Sequence, residues 1–202
     1  MTRAKTSAQL TPLLRRITLL FCVSLFFLSL HVIDDAISTG EPAQYGVTIP
    51  EFIFYAALIY YIIPPLGLVL ARRGNILGLG IVTLYGFQAM YGAGLNHVRH
   101  MFGDFGGSKA LPALLASLGI HITDIRGYGF GSVLMGMAGL GQTPPHTHTL
   151  LSSLIAFTDI ALNAVLMAAC VWTIWMVWQL RTGGAIRAKG ALGQPEESVS
   201  ST

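Results

Sequence analysis

Charged residues are scarce in this sequence. Aspartate, glutamate, lysine and arginine together make up 10% of its 202 residues, and 53% are hydrophobic. A soluble globular domain has roughly one quarter charged residues, so the composition indicates a membrane protein. The formal net charge of +3 is interpreted as a topology signal. No nucleic-acid role is expected, because no basic surface is interleaved with aromatic residues.

Cysteine is almost absent. The two cysteines, Cys22 and Cys170, lie in separate apolar runs and form no CxxC pair. A disulfide framework or a redox pair is therefore not expected, and both are expected to pack as small apolar side chains. The sequence also lacks an HExxH motif and an internal repeat. It therefore offers no metalloprotease signature and no support for an inverted-repeat transporter.

Long apolar runs are abundant. A helix needs about 20 apolar residues to cross a membrane, where it satisfies its own backbone amides. Four runs are long enough, at about residues 13–37, 50–71, 76–101 and 149–180. The sequence therefore predicts an all-α integral membrane four-helix bundle as a single domain, residues 1–181. A long outer loop at 102–148 and a disordered cytoplasmic tail at 182–202 complete the prediction.

The basic residues predict an orientation. Nine lysines and arginines flank the runs on the side of the amino terminus, and three lie on the other side. By the positive-inside rule both termini are cytoplasmic, in a multi-pass protein of the inner or plasma membrane. One alternative stays open: the first run could be a cleaved signal peptide, since Arg15 and Arg16 precede its apolar core and Ala36-Ile37-Ser38 resembles a cleavage site.

Proline and glycine mark the second and third runs. Pro64 and Pro65 should kink the second helix. Gly74 and Gly78 are four residues apart, a spacing that lets helices approach closely in lipid, so the third helix is expected to be central. The alternative is that glycines of this helix clear space for a flat ligand, at Gly86, Gly92 and Gly94.

The outer loop is too long for a simple connection between helices. Its segment KALPALLASLGI, residues 109–120, is expected to form a short amphipathic helix on the membrane surface. The segment GYGFGSVLMGMAGLG, residues 127–141, is apolar and glycine-rich. We expect it to form an interfacial or re-entrant lid.

The histidines all fall on the predicted outer side: His31, His97, His100, His121, His146 and His148. The rise of about 1.5 Å per helical residue places His31, His97 and Asp159 at similar depths near the outer boundary. Helical spacing also predicts two buried stripes. The first is Ser24, His31, Asp34 and Asp35, and the second is Ser152, Ala156, Asp159, Asn163, Leu166 and Cys170.

Imidazole and carboxylate together predict a transition-metal site at the outer, periplasmic face, for zinc, copper, iron or manganese. The expected ligands are His31, His97, His100 and one of Asp34 and Asp35, with Asp35 preferred as the ligand and Asp34 as a catalytic general base. Further ligands, or hydrogen-bond partners that orient the ligating histidines, are expected among Asp159, Asn96, Asn163, His146 and His148.

Several functions fit such a site. The first is a metal-dependent enzyme that acts on a lipid-like or apolar substrate entering from the bilayer. The second is a non-catalytic metal-binding or accessory subunit of a larger membrane complex. The third is a haem b or quinone protein with histidines on facing helices. The fourth is a structural membrane protein, in which these polar residues only form hydrogen bonds between helices or at the interface.

Overall fold

The structure is a computed structural model that describes residues 2–95, 98, 110–121, 125–137 and 149–192. No strand occurs in this part of the chain. The helices are α1 (Thr2–Asp34), α2 (Glu41–Gln44), α3 (Ile49–Tyr61), α4 (Ile63–Arg72), α5 (Ile76–Gln88), α6 (Ala110–Ser117), α7 (Phe130–Met137) and α8 (Leu150–Leu192). Helices α1 and α5 continue into π-helical turns, Asp35–Thr39 and Ala89–Leu95.

Three helical stretches among the described residues are long and apolar enough to cross a membrane: Leu10–Thr39, Ile49–Arg72 and Leu150–Leu180. The apolar helix Ile76–Gly92 is shorter, and the predicted third span continues beyond it into residues that the structure does not describe. The described residues thus support a helical membrane protein. The fourth span and the orientation stay predictions.

The second span is broken at the double proline. Helix α3 ends at Tyr61 and α4 begins at Ile63, and Ile62 between them has φ −110° and ψ −69°. Pro64 and Pro65 cannot donate backbone hydrogen bonds to the preceding turn, so the helix cannot run through them unchanged. The kink that the sequence predicts is confirmed.

Helices α4 and α5 form a tight antiparallel pair. A Cβ atom on Gly78 would lie 2.6 Å from the carbonyl oxygen of Gly67, so only glycine allows this approach. Gly74, by contrast, has φ +70° and belongs to the turn between the two helices. Of the predicted small-residue pair, Gly78 therefore serves helix packing and Gly74 serves the turn. Asn75 then caps α5 by accepting from the backbone N–H of Leu77 at 2.9 Å.

The main core lies where α1, α5 and α8 meet. It contains Phe21 and Leu28 of α1, Leu79 and Val82 of α5, and Leu166 of α8. Apolar side chains fill this core along most of its length. Toward one end, buried polar side chains take their place. This core fixes the three helices that carry those polar side chains.

The predicted stripe of α8 is confirmed. All six of its members are buried: Ser152, Ala156, Asp159, Asn163, Leu166 and Cys170. The prediction that both cysteines pack inside is wrong for Cys22, which is exposed. The location of a residue within an apolar run does not determine which face of the helix the residue occupies.

Two short helices lie in the predicted outer loop. Helix α6 coincides with the segment expected to be helical, and α7 lies within the segment expected to form a lid. Helix α7 packs on α3, with the rings of Phe130 and Tyr55 5.6 Å apart between centroids. Val133 of α7 joins Tyr45 and Phe52 in a second, smaller core. Helix α8 continues into the predicted tail as far as Leu192; the rest of the tail lies outside the described residues.

Candidate functional site: a buried polar cluster

Six polar side chains are buried among α1, α8 and the segment that follows α1. We call them the polar cluster: Ser24, His31, Asp35, Glu41, Asp159 and Asn163. None is more than 8% exposed. Burial of ionisable groups is costly unless they are paired, hydrogen-bonded or neutralised, and ionisable groups within a membrane span mark functional sites by default. The polar cluster is therefore the candidate site.

The centre of the cluster is a contact between a histidine of α1 and an aspartate of the π-helical turn that continues it. Nε2 of His31 lies 3.3 Å from Oδ2 of Asp35, one helical turn further along. The side chains are 2% and 8% exposed. The neighbouring Asp34 is only half-buried. Of the two aspartates that the sequence offered as partners of His31, the structure therefore selects Asp35.

The π-helical turn after α1 leads the chain back toward this pair. The hydroxyl of Thr39 donates to the carbonyl oxygen of Asp35 at 2.7 Å. Gly40, with φ +71°, ends the helix in the left-handed region that favours glycine. The backbone N–H of Glu41 then donates to the hydroxyl of Thr39 at 3.3 Å. Glu41 is thereby held beneath the end of α1 instead of extending into solvent.

Glu41 brings a second carboxyl group to Asp35. The two side chains lie close enough to share a hydrogen bond when one of them is protonated. Glu41 also accepts a hydrogen bond from the hydroxyl of Tyr45. Burial, followed by the charge of Glu41, raises the pKa of Tyr45 well above its ordinary value. The tyrosine therefore remains a neutral donor to the carboxylate.

A hydrogen-bonded chain extends the cluster deeper between α1, α5 and α8. The amide nitrogen of Asn163 donates to Oδ1 of Asp159 at 2.8 Å. Ser24 donates to Oδ1 of Asn163 at 2.7 Å, and its hydroxyl lies 3.0 Å from that of Tyr85. Oδ2 of Asp159 is buried without a hydrogen-bond partner among the described residues. One carboxylate oxygen thus remains available to a ligand or a proton.

The carboxyl groups of the polar cluster interact with one another electrostatically. The carboxyl groups of Glu41, Asp34 and Asp159 all act on Asp35 through their charge, with Glu41 having the largest effect. Three carboxyl groups thus share a buried region with one imidazole, that of His31. Carboxyl groups that are buried close together cannot all remain ionised without a compensating proton or cation. The arrangement is therefore suited to binding positive charge.

The described part of the chain contains only some of the predicted ligands. His31, Asp35, Asp159 and Asn163 belong to the polar cluster. His121 is exposed beyond α6. Five predicted residues lie outside the described part of the chain: Asn96, His97, His100, His146 and His148. Within the described part, no group of three or more His, Cys, Asp or Glu residues is arranged to hold a metal ion.

The sequence did not single out Glu41 or Tyr85 as members of the site. Tyr85 lies three residues before Gln88, so helical spacing places both on one side of α5. Gln88 donates to the hydroxyl of Tyr60 at 2.8 Å. The three-residue spacing from Gln88 could therefore have indicated which side of α5 Tyr85 occupies. Glu41 had no such signal, because its position depends on the turn at Gly40.

A flat ligand next to α5, the alternative raised by the glycines of this helix, would need free space beside Gly86. A Cβ atom at Gly86 would lie 2.9 Å from Cγ of Met167 and 3.4 Å from the carbonyl oxygen of Asn163. Helix α8 therefore fills this space. At this position glycine serves the close packing of α5 on α8.

The described residues define a class of protein: a helical protein with apolar stretches long enough to span a membrane and polar side chains buried between them. No protein-family model matches the chain, and the searches of curated proteins and of solved structures found no match.

Proposed function

We propose that the chain is a multi-pass protein of the inner or plasma membrane that binds a transition-metal ion at the outer end of a four-helix bundle. His31 and Asp35 supply one side of the site. His97 and His100, at the end of the predicted third span, complete it. The observation that carries the proposal is the buried His31–Asp35 pair with two further carboxyl groups beside it.

The charge balance of the polar cluster favours a cation. Asp35, Glu41 and Asp159 would contribute three negative charges if all were ionised, and a metal-binding His31 is neutral. A divalent cation would offset two of these charges and one retained proton the third, and a mixture of nitrogen and oxygen ligands suits zinc, copper(II), iron(II) or manganese. An imidazole also favours a transition metal over calcium or magnesium, which prefer oxygen ligands.

The His31–Asp35 contact supports this interpretation. Metal-binding histidines commonly donate their second ring N–H to a carboxylate, which fixes the tautomer and the ring orientation. With Nε2 facing Asp35, Nδ1 is the nitrogen that would bind a metal. Asp35 would then orient the imidazole, either as well as or instead of ligating the ion directly.

Asp159 is the second contributor from the described residues. Its Oδ1 accepts from Asn163, and its Oδ2 has no hydrogen-bond partner in the described part of the chain. Oδ2 would therefore serve as a further ligand or as a general base. Asp34, the general base expected from the sequence, is half-buried beside Asp35 and is the alternative candidate for this role.

Two uses of the metal are compatible with this arrangement. In an enzyme, the bound ion would supply Lewis-acid activation of a water, Asp159 would be placed to accept a proton, and an apolar substrate would approach from the bilayer past α7. In the accessory subunit, the same ligands hold the ion without turnover. The haem or quinone alternative is less well supported, because α8 occupies the space beside Gly86.

Elemental analysis tests the proposal. The full chain, purified in a mild detergent, should contain close to one zinc, copper, iron or manganese ion per chain. His31→Ala and Asp35→Asn should each remove most of the metal, since each removes a charged or ligating group from the polar cluster.

Two substitutions serve as matched controls. His121→Ala removes an exposed histidine, and Glu51→Gln neutralises an exposed carboxylate outside the polar cluster. Both should retain the metal. Circular dichroism and gel filtration of all four variants separate loss of metal from loss of fold. A well-folded wild-type chain that contains no metal, even after incubation with each ion, would refute the proposal. A visible absorption spectrum distinguishes haem.

A further inference from the structure

A cavity of about 640 Å³ lies at the opposite end of the molecule, between the first half of α1 and the end of α4. Three of its lining residues are arginines: Arg15, Arg16 and Arg72. All three are exposed, so the cavity opens to the surface. It is separate from the polar cluster, which lies beyond the apolar core.

The cavity is positively charged, and the described residues that line it carry no negative charge. No aspartate or glutamate is among its lining residues. Every acidic residue in the described part of the chain falls elsewhere, at Asp34, Asp35, Glu41, Glu51 and Asp159. Guanidinium groups donate paired hydrogen bonds that match the oxygens of a phosphate. The three arginines therefore favour a phosphate-bearing ligand.

The remaining wall of the cavity contains two threonines, Thr11 and Thr18, and an apolar part. Leu14, Leu19 and Cys22 line it on α1, and all three lie within the candidate span Leu10–Thr39. Leu19 is 66% exposed, which in a membrane-spanning helix means exposure to lipid. Guanidinium groups thus lie at one end of an apolar, lipid-facing surface. A soluble phosphate would leave this surface unused, whereas a phospholipid would cover it.

We propose that this cavity binds an anionic phospholipid. Its phosphate contacts Arg15, Arg16 and Arg72, and an acyl chain lies along Leu19 and Cys22. Basic pockets at the membrane surface between transmembrane helices are suited to lipids whose head groups carry net negative charge. Zwitterionic phospholipids carry the same phosphate together with a cationic group, which the arginines would repel.

Native mass spectrometry of the full chain in neutral detergent provides the test, with phosphatidylglycerol and phosphatidylcholine added at equal concentration. We expect several-fold more bound phosphatidylglycerol. Arg72→Gln removes one charge-assisted contact and should weaken this binding on the order of ten-fold. The matched control is Arg73→Gln, because Arg73 is exposed and adjacent but does not line the cavity. It should leave the binding unchanged.

One further variant and one competition experiment complete the test. Arg15→Gln, on the other helix, should reproduce the loss seen with Arg72→Gln, which excludes a local folding defect in α4. Inorganic phosphate at millimolar concentration should not displace the lipid. Equal binding of the two lipids, equal effects of Arg72→Gln and Arg73→Gln, or full displacement by inorganic phosphate would each overturn the proposal.

Discussion

Ser24 on α1 donates a hydrogen bond of 2.7 Å to Asn163 on α8, a residue 139 positions away in the sequence. Both side chains are fully buried. The bond joins the first and last described spans at the level where the apolar core gives way to the polar cluster. It also orients Asn163, whose amide nitrogen donates to Asp159.

Ser24→Ala tests the contribution of this bond. The substitution leaves Oδ1 of Asn163 buried without its donor, and we expect a loss of about 1 kcal/mol in the free energy of unfolding. Unfolding in mixed micelles with dodecyl sulfate, followed by tryptophan fluorescence, measures it. The control is Ser153→Ala, because Ser153 donates only to the carbonyl oxygen of Thr149 in its own helix. Equal effects of the two substitutions would contradict the prediction.

Gly78→Ala tests the close approach of α4 and α5. The added methyl group would lie 2.6 Å from the carbonyl oxygen of Gly67, so the helices must separate. We expect a destabilisation of about 1–3 kcal/mol in the same unfolding assay. Gly80→Ala is the matched control, since a Cβ atom there meets nothing within 4 Å. It should be neutral or stabilising; a similar loss at both positions would refute the packing argument.

Tyr45 should titrate abnormally. Its pKa is raised by burial and by Glu41, so its phenolate should form at higher pH than that of a free tyrosine. The ultraviolet difference between wild type and Tyr45→Phe during an alkaline titration isolates this residue. Because the folded state holds the proton more tightly than the unfolded state, the contribution to stability is complete below the ordinary pKa of 10.0 and is lost as the pH rises above it. A titration at the ordinary pKa would contradict this assignment.

Glu41→Gln tests the carboxyl pair. Glutamine keeps an acceptor for Tyr45 and offers Asp35 a neutral amide donor instead of a second acid. We therefore expect the metal-free protein to gain on the order of 1 kcal/mol at neutral pH. Glu51→Gln is the comparison, because Glu51 caps α3 through the N–H and hydroxyl of Thr48, both at 2.7 Å. It should be neutral or slightly destabilising, and a loss at Glu41 would mean that its charge stabilises the fold.

Helical periodicity explains what could be predicted from the sequence. The buried stripe from Ser152 to Cys170 and the stripe containing Ser24, His31 and Asp35 follow from spacing alone, because neighbours on one face of a helix are three or four residues apart. The break at Pro64 follows from the chemistry of proline. These features depend only on residues close together in the sequence, so no knowledge of tertiary contacts was needed.

The remaining features depend on tertiary contacts. Glu41 reaches the site only because Gly40 reverses the chain, and nothing in its neighbourhood distinguishes it from an exposed acid in a loop. The choice between Asp34 and Asp35 required the rotation of α1 relative to its neighbours. Likewise, the pairing of Ser24 with Asn163 is a long-range contact that no local pattern encodes.

The π-helical turn Asp35–Thr39 has a geometric consequence. In an α-helix, a step of four residues overshoots a full turn by about 40°, so side chains spaced by four drift steadily around the axis. A π-helical turn is wider and contains more residues, so the same step falls short and the drift reverses. His31, Asp35 and Thr39 are all buried, and they form a straighter column than a regular helix would allow. The wide turn therefore reverses the rotation of these side chains around the helix axis. As a result, the last polar side chains of α1 face inward until Gly40 ends the helix.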